Sequence, residues 1–98
     1  MGRSGLQTGT PSNVTVGSAT TAVLTAAQTA DLEYISLTND SDEAIYIAFG
    51  ASAEMNKGIR LNASGGSVVW EQSTIPRDVA VNAICSSGSK TLAVHTGV

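Results

Sequence analysis

Two neighbouring stretches near the middle of the chain are each patterned with a period of two: Tyr34-Ile35-Ser36-Leu37-Thr38-Asn39 and Ala44-Ile45-Tyr46-Ile47-Ala48-Phe49-Gly50. In the second, Ile45, Ile47 and Phe49 fall on one face, and Ala44, Tyr46 and Ala48 on the other. Period two is the mark of a half-buried strand, and the β-branched and aromatic content agrees with it. Between the two lies Asp40-Ser41-Asp42-Glu43, a short polar turn.

The rest of the chain repeats the pattern. Asn13-Val14-Thr15-Val16, Thr20 to Thr25, Ile59-Arg60-Leu61, Ser67 to Glu71, Asp78 to Cys85 and Lys90 to Thr96 are strand-like. Turn residues separate them: Gly17-Ser18, Asn62-Ala63-Ser64-Gly65-Gly66, and Pro76 within its loop. Ser86-Ser87-Gly88-Ser89 is expected to join the last two strands as a hairpin loop. Thr25 to Asp31 contains Ala and Gln, which favour helix, but its shortness predicts a turn or irregular link. Ala51 to Lys57 is predicted to be a loop, with room for one helical turn over Ala51–Met55. Seven to eight short strands at close spacing predict an all-β protein, a small antiparallel β-sandwich or barrel.

A chain of 98 residues predicts a single domain with one modest core, taken here as residues 13–98. Residues 1–12 hold three glycines, a proline and one large apolar side chain, Leu6, and are expected to form an extended N-terminal arm. Charged residues make up only 13% of the chain, about half the usual share. Ser, Thr, Asn, Gln and Gly must therefore cover most of the surface. A net charge of −3 and five scattered basic residues argue against nucleic acid, which demands clustered Lys and Arg. No apolar run reaches the ~18 residues of a membrane span, and the start has no apolar core of a secretory signal. Membrane partners are not expected.

Candidate chemistry is sparse. Cys85 is the single cysteine, which forbids an intrachain disulfide, and no zinc-type Cys/His spacing occurs. It shares a face with Val79, Val81 and Ala83, as a buried small hydrophobe would. His95 lies opposite Leu92 and Val94 in its strand, with no Gly-x-Ser-x-Gly elbow in the chain to suggest a nucleophile. Asp40, Asp42 and Glu43 crowd one turn but lack the glycine and distal glutamate of a calcium loop, so an Asx-type turn accounts for them. Gly65-Gly66 is a turn and not a phosphate cradle. Trp70, Tyr34 and Tyr46 could form a sugar-stacking face, but with four aromatic residues in the chain, packing in a core or interface is the expected role. Neither catalytic residues nor cofactors nor metals are predicted.

The order of these segments resembles a family. Tyr34 to Ser41, Ile45 to Gly50, Asn56-Lys57-Gly58-Ile59-Arg60-Leu61, Gly65-Gly66-Ser67, Ala83-Ile84-Cys85-Ser86 and Leu92-Ala93-Val94 together resemble a small β domain of structural proteins in tailed double-stranded DNA bacteriophages. Within that group the likeness is to head-decoration (cement) proteins and to the base domains of head fibres, over residues 20 to 96. Cys85 and His95 depart from the pattern, and the short C-terminus favours a stand-alone decoration protein over a fibre base. The resemblance implies a non-enzymatic virion protein, assembled in the host cytoplasm, that binds the outside of the head. There it would link neighbouring copies of the major capsid protein, acting as a trimer at threefold positions. Leu6, Tyr46, Met55 and Trp70 are the candidate partner contacts. The alternatives are a tail, neck or fibre-base component, or a carbohydrate-binding module relying on exposed aromatics such as Trp70. An enzyme would instead require Asp40, Glu71 and His95 to converge.

Overall fold

A computed structural model describes residues 9–98 and shows eight strands: β1 (Gly9–Val16), β2 (Thr21–Leu24), β3 (Tyr34–Asn39), β4 (Ile45–Phe49), β5 (Ile59–Leu61), β6 (Gly66–Glu71), β7 (Val81–Cys85) and β8 (Lys90–Gly97). They form two four-stranded antiparallel sheets. The first has the order β1-β8-β3-β6 and the second β2-β7-β4-β5. Eight strands in this order across two packed sheets make a jelly roll, one of the two architectures expected from the strand spacing.

Alternation decides the faces, as the sequence predicts. Ile35 and Leu37 of β3, Leu92 and Val94 of β8, Val16 of β1 and Trp70 of β6 point inward from the first sheet. They meet Ile45 and Ile47 of β4, Leu61 of β5, and Val81, Ala83 and Cys85 of β7. The largest of the fully buried side chains among these, Ile35, Leu37, Ile45, Ile47, Leu61 and Leu92, each contribute about 1.5–3 kcal/mol. Phe49 shares the inward face of β4 but stands at its open end, half exposed, with its ring edge-on to Trp70 at 5.9 Å.

The connections differ from expectation in one respect. Ser86–Ser89 does not close a hairpin, because β7 lies in the second sheet and β8 in the first. The Asp40–Glu43 turn likewise carries the chain from one sheet to the other. Only β4 and β5 are consecutive strands that pair with each other. A four-residue link can serve as a hairpin or as an arch across sheets ~10 Å apart, and alternation is the same for both.

The arch after β3 has a specific cause. Asn39 is completely buried, and its side chain uses its whole hydrogen-bonding capacity. Nδ2 donates to the carbonyls of Glu43 (2.8 Å) and Leu61 (2.9 Å). Oδ1 accepts from the Ser41 N–H (2.9 Å) and the Ser41 hydroxyl (2.6 Å). The first pair reaches the second sheet; the second bends the chain toward it. The Gly65 N–H donates to the Asn39 carbonyl, so the β5–β6 turn joins the same knot. Gly66 closes that turn, and a Cβ there would strike the backbone of Asn62.

Three boundaries also move. The first strand begins at Gly9 and not at Asn13, so Gly9 to Ser12 of the expected arm are an edge strand paired with β8. Ala26–Ala30 form a short helix, α1, where a turn or irregular link was expected. A capping box explains it: the Thr25 hydroxyl accepts from the Gln28 N–H, and the Gln28 side chain accepts from the Thr25 N–H. The fully buried Thr29 then ties α1 to the chain before β7 through the N–H and C=O of Val79. Those bonds hold Val79 outside β7, which starts at Val81. No helical turn forms at Ala51–Met55.

Asn39→Ala should therefore lower stability by about 2–4 kcal/mol, since it strands the carbonyls of Glu43 and Leu61 on the second-sheet side and the Ser41 N–H in the arch. Urea unfolding followed by tryptophan fluorescence measures this. A loss below about 0.5 kcal/mol would show that the carboxamide does not join the sheets.

Candidate functional site

The two outer faces of the sandwich differ in kind. The outer face of the second sheet is closed by the chain itself. Residues 50–58 cross it, and Ala53 and Met55 pack on Tyr46 and Ile84 together with Ala44 and Ala48. The Tyr46 hydroxyl accepts from Arg60 Nη1 (2.7 Å) and donates to Asn56 Oδ1 (3.1 Å). The Arg60 guanidinium also lies over the Tyr46 ring, 5.7 Å from its centre. The Ala53 N–H donates to Thr20 Oγ1 (2.9 Å), and Asn82 Nδ2 donates to the Ala51 carbonyl (2.7 Å).

Among the described residues, no segment crosses the outer face of the first sheet in this way. The register places Pro11, Asn13 and Thr15 of β1 beside His95, Ala93 and Thr91 of β8. Ser36 and Thr38 of β3 come next, followed by Val69 and Ser67 of β6. Tyr34 and Glu71 complete the row at one end. Glu71 alone on this face carries a formal charge at neutral pH, and Val69 is 48% exposed.

Two depressions mark the face. A trough of about 340 Å³ runs along β1, β8 and β3, lined mainly by Pro11, Asn13, Ser36, Thr38, Ala93 and His95. The His95 imidazole sits so close to the start of β1 that any side chain at Gly9 would collide with it, and its ring meets Tyr34 edge-on at 6.4 Å. A larger cleft of about 710 Å³ lies at the β3–β6 corner, lined by Glu33, Tyr34, Val69, Glu71 and the 3₁₀ turn Gln72–Thr74.

The wall of the cleft is fixed from several sides. The Gln72 N–H donates to the Glu33 carbonyl (3.0 Å), extending the β3–β6 ladder by one bond. The Thr74 hydroxyl accepts from the Glu71 N–H and donates to the Glu71 carbonyl, holding the turn closed. Ile75 and Pro76 then plunge into buried positions and anchor it. Gln72 lies in the left-handed region at φ 40°, a conformation that costs a residue other than glycine about 1 kcal/mol.

The residues singled out from the sequence are scattered. Trp70 is a core residue, 8% exposed, and Tyr46 lies under the 50–58 loop with Met55 beside it. Leu6 lies outside the described residues. Tyr34, Trp70 and Tyr46 therefore share no stacking surface; only Tyr34 faces a cleft. Cys85 is fully buried, and its thiol points at the carbonyl of Val16 (3.4 Å). Asp40 follows β3 at one end and Glu71, the last residue of β6, pairs with Tyr34 at the other, six residue steps or about 20 Å apart. Among the described residues, no group of three or more His, Cys, Asp or Glu side chains is placed to hold a metal ion. The cleft itself left little trace in the sequence, because Glu33, Gln72 and Ser73 form no motif. The period-two placement of Tyr34, Val69 and Glu71 on one face was the available signal.

Two further acidic residues, Asp42 and Glu43, serve the opposite end of the sandwich. Asp42 Oδ1 lies 2.7 Å from Lys90 Nζ, and that hydrogen bond holds the Asp42 carboxyl below its ordinary value of 3.8 and raises Lys90. The backbone N–H of Ser87, and then its hydroxyl, hold Glu43 below its ordinary 4.5. Both carboxylates lock the β3–β4 arch to the β7–β8 arch. A carboxyl depressed by folding stabilises the protein fully above its unfolded value and loses that contribution as pH falls through the folded one. The melting temperature should thus decline as pH drops below about 4.5. An Asp42→Asn/Glu43→Gln variant should melt lower at neutral pH and converge with wild type in strong acid. A pH series of thermal melts checks this; parallel curves would remove these groups from the acid sensitivity.

Neither a protein-family model, nor a curated protein, nor a solved structure matches the chain.

Proposed function

We propose that this chain is a capsid decoration protein that binds the outside of a bacteriophage head and ties neighbouring capsid subunits together. The observation that carries the proposal is the contrast between its two outer faces. One is sealed by the chain's own loop, where Tyr46, Asn56, Arg60 and Asn82 hydrogen-bond within the chain. The other is broad and almost free of charge, and it ends in the exposed edge strand β1. Docking such a face on a flat protein lattice desolvates few ions, which keeps the cost of association low. β1 also offers main-chain groups along its open side, so a shell segment can add to the sheet without special side chains.

The jelly roll supports the proposal at the level of architecture, being common in viral capsid and lectin domains. Mechanically the activity is linkage. A ligand that binds the assembled lattice and not its separated subunits stabilises the lattice by mass action, by RT ln(1 + [L]/Kd). The trough over β1, β8 and β3 is the proposed contact, and the trimeric state at threefold positions follows from the family resemblance.

Purified protein mixed with expanded, undecorated heads should co-sediment saturably. Ala93→Arg places an unpaired cation at the middle of the trough and should weaken retention at least about tenfold while leaving the melting temperature near wild type. Lys57→Ala, on the sealed side, should bind normally. Full retention of Ala93→Arg would remove this face from the contact, and wild-type protein that ignores every head preparation would sink the function.

A further inference from the structure

We propose that the cleft at the β3–β6 corner binds one ring of a neutral, hydroxyl-rich ligand, a sugar residue of a glycan. This site is distinct from the trough and does not depend on the shell-binding proposal. The volume, about 710 Å³, admits a saccharide ring with part of a neighbouring one. Its surfaces are of two kinds. Tyr34 and Val69 supply an apolar floor, the complement of the C–H face of a pyranose. Glu33, Glu71, Gln72 and Ser73 supply acceptors and donors around it, the complement of ring hydroxyls.

The charge balance selects among ligand classes. Two carboxylates at the rim disfavour anions, so phosphates and acidic sugars do not suit the site. Arg77 Nη2 lies 3.5 Å from Glu33 Oε2, so one carboxylate already has a partner, which weakens the pull on a cation. Glu71 forms no ion pair among the described residues. A carboxylate with no counter-ion in a cleft with an aromatic wall accepts strongly from neutral O–H donors. The cleft is also preorganised. Its turn is held by the Gln72–Glu33 and Thr74–Glu71 hydrogen bonds and by buried Ile75.

The test is a titration of the full-length ¹⁵N-labelled chain, followed by two-dimensional NMR. The probes are the methyl glycosides of glucose, galactose, mannose and N-acetylglucosamine, with choline chloride, calcium chloride and sodium phosphate as the cation and anion arms. The expected result is saturable shifts from at least one glycoside, confined to residues 33–34 and 69–74. Tyr34→Ala, an outward-facing change, should weaken that binding about tenfold, and Glu71→Gln about threefold or more. Ala93→Arg should bind the glycoside as wild type does, which separates this outcome from the fate of the shell contact. Saturation by choline, calcium or phosphate but by no glycoside overturns the ligand class. Shifts spread over the whole face, or none with any probe, overturn the site.

Discussion

Asn39 sits at the end of β3 with no exposed surface, and its carboxamide reaches from the first sheet to the second. Two sheets that share few sequential pairings need something to fix their relative position besides a greasy interface. A non-directional hydrophobic contact tolerates sliding, whereas four hydrogen bonds from one buried side chain do not. Through them the ends of β3 and β5, the arch to β4 and the turn to β6 become one unit. Asp42–Lys90 and Glu43–Ser87 attach the β7–β8 arch to it from the solvent side. The opposite end of the sandwich is thereby left to carry its open features, the half-exposed Phe49 and the cleft beside Tyr34.

Alternation made the strands legible. Every predicted strand exists, and except in β2, where a register shift lets the adjacent Val23 and Leu24 both be buried, the inward and outward residues follow the parity visible in the sequence, from Ile45 and Ile47 to Leu92 and Val94. Partnering was not legible. A polar link such as Ser86–Ser89 has the same composition whether it folds back in one sheet or crosses to another, and the deciding contacts come from residues far away in the chain. The helix α1 was within reach, since Thr25 and Gln28 stand at capping-box spacing, but its five residues gave propensity too little weight. The place of the aromatic residues was legible in part, with Trp70 packed in the core beside Val68. Tyr46 sits in a strand both of whose faces are apolar, so composition could not say which side would be covered. Only the 50–58 loop, folded back over Tyr46, decides that.

The division of labour between the two outer faces follows from this. By closing over the second sheet, the loop removes the more apolar exterior, Tyr46, Ile84 and Ala48, from solvent. Among the described residues, what remains outside is a field of Ser, Thr, Asn and Ala on the first sheet, polar but poor in charge. A shallow trough and a deeper polar cleft divide that field between the β1 and β6 borders.

The strand order carries a last consequence for biogenesis. β7 and β8, the final two of the eight, occupy interior positions in their sheets, β7 between β2 and β4 and β8 between β1 and β3. A nascent chain that has emerged only as far as β6 has a hole in the middle of both layers, with β1 and β2 attached to nothing. The second sheet cannot close before β7 has formed, nor the first before β8, and every such closure joins residues far apart along the chain, a slow class of folding event. Closure of each sheet should consequently be all-or-none, and dependent on whatever shields unpaired strands in the interval.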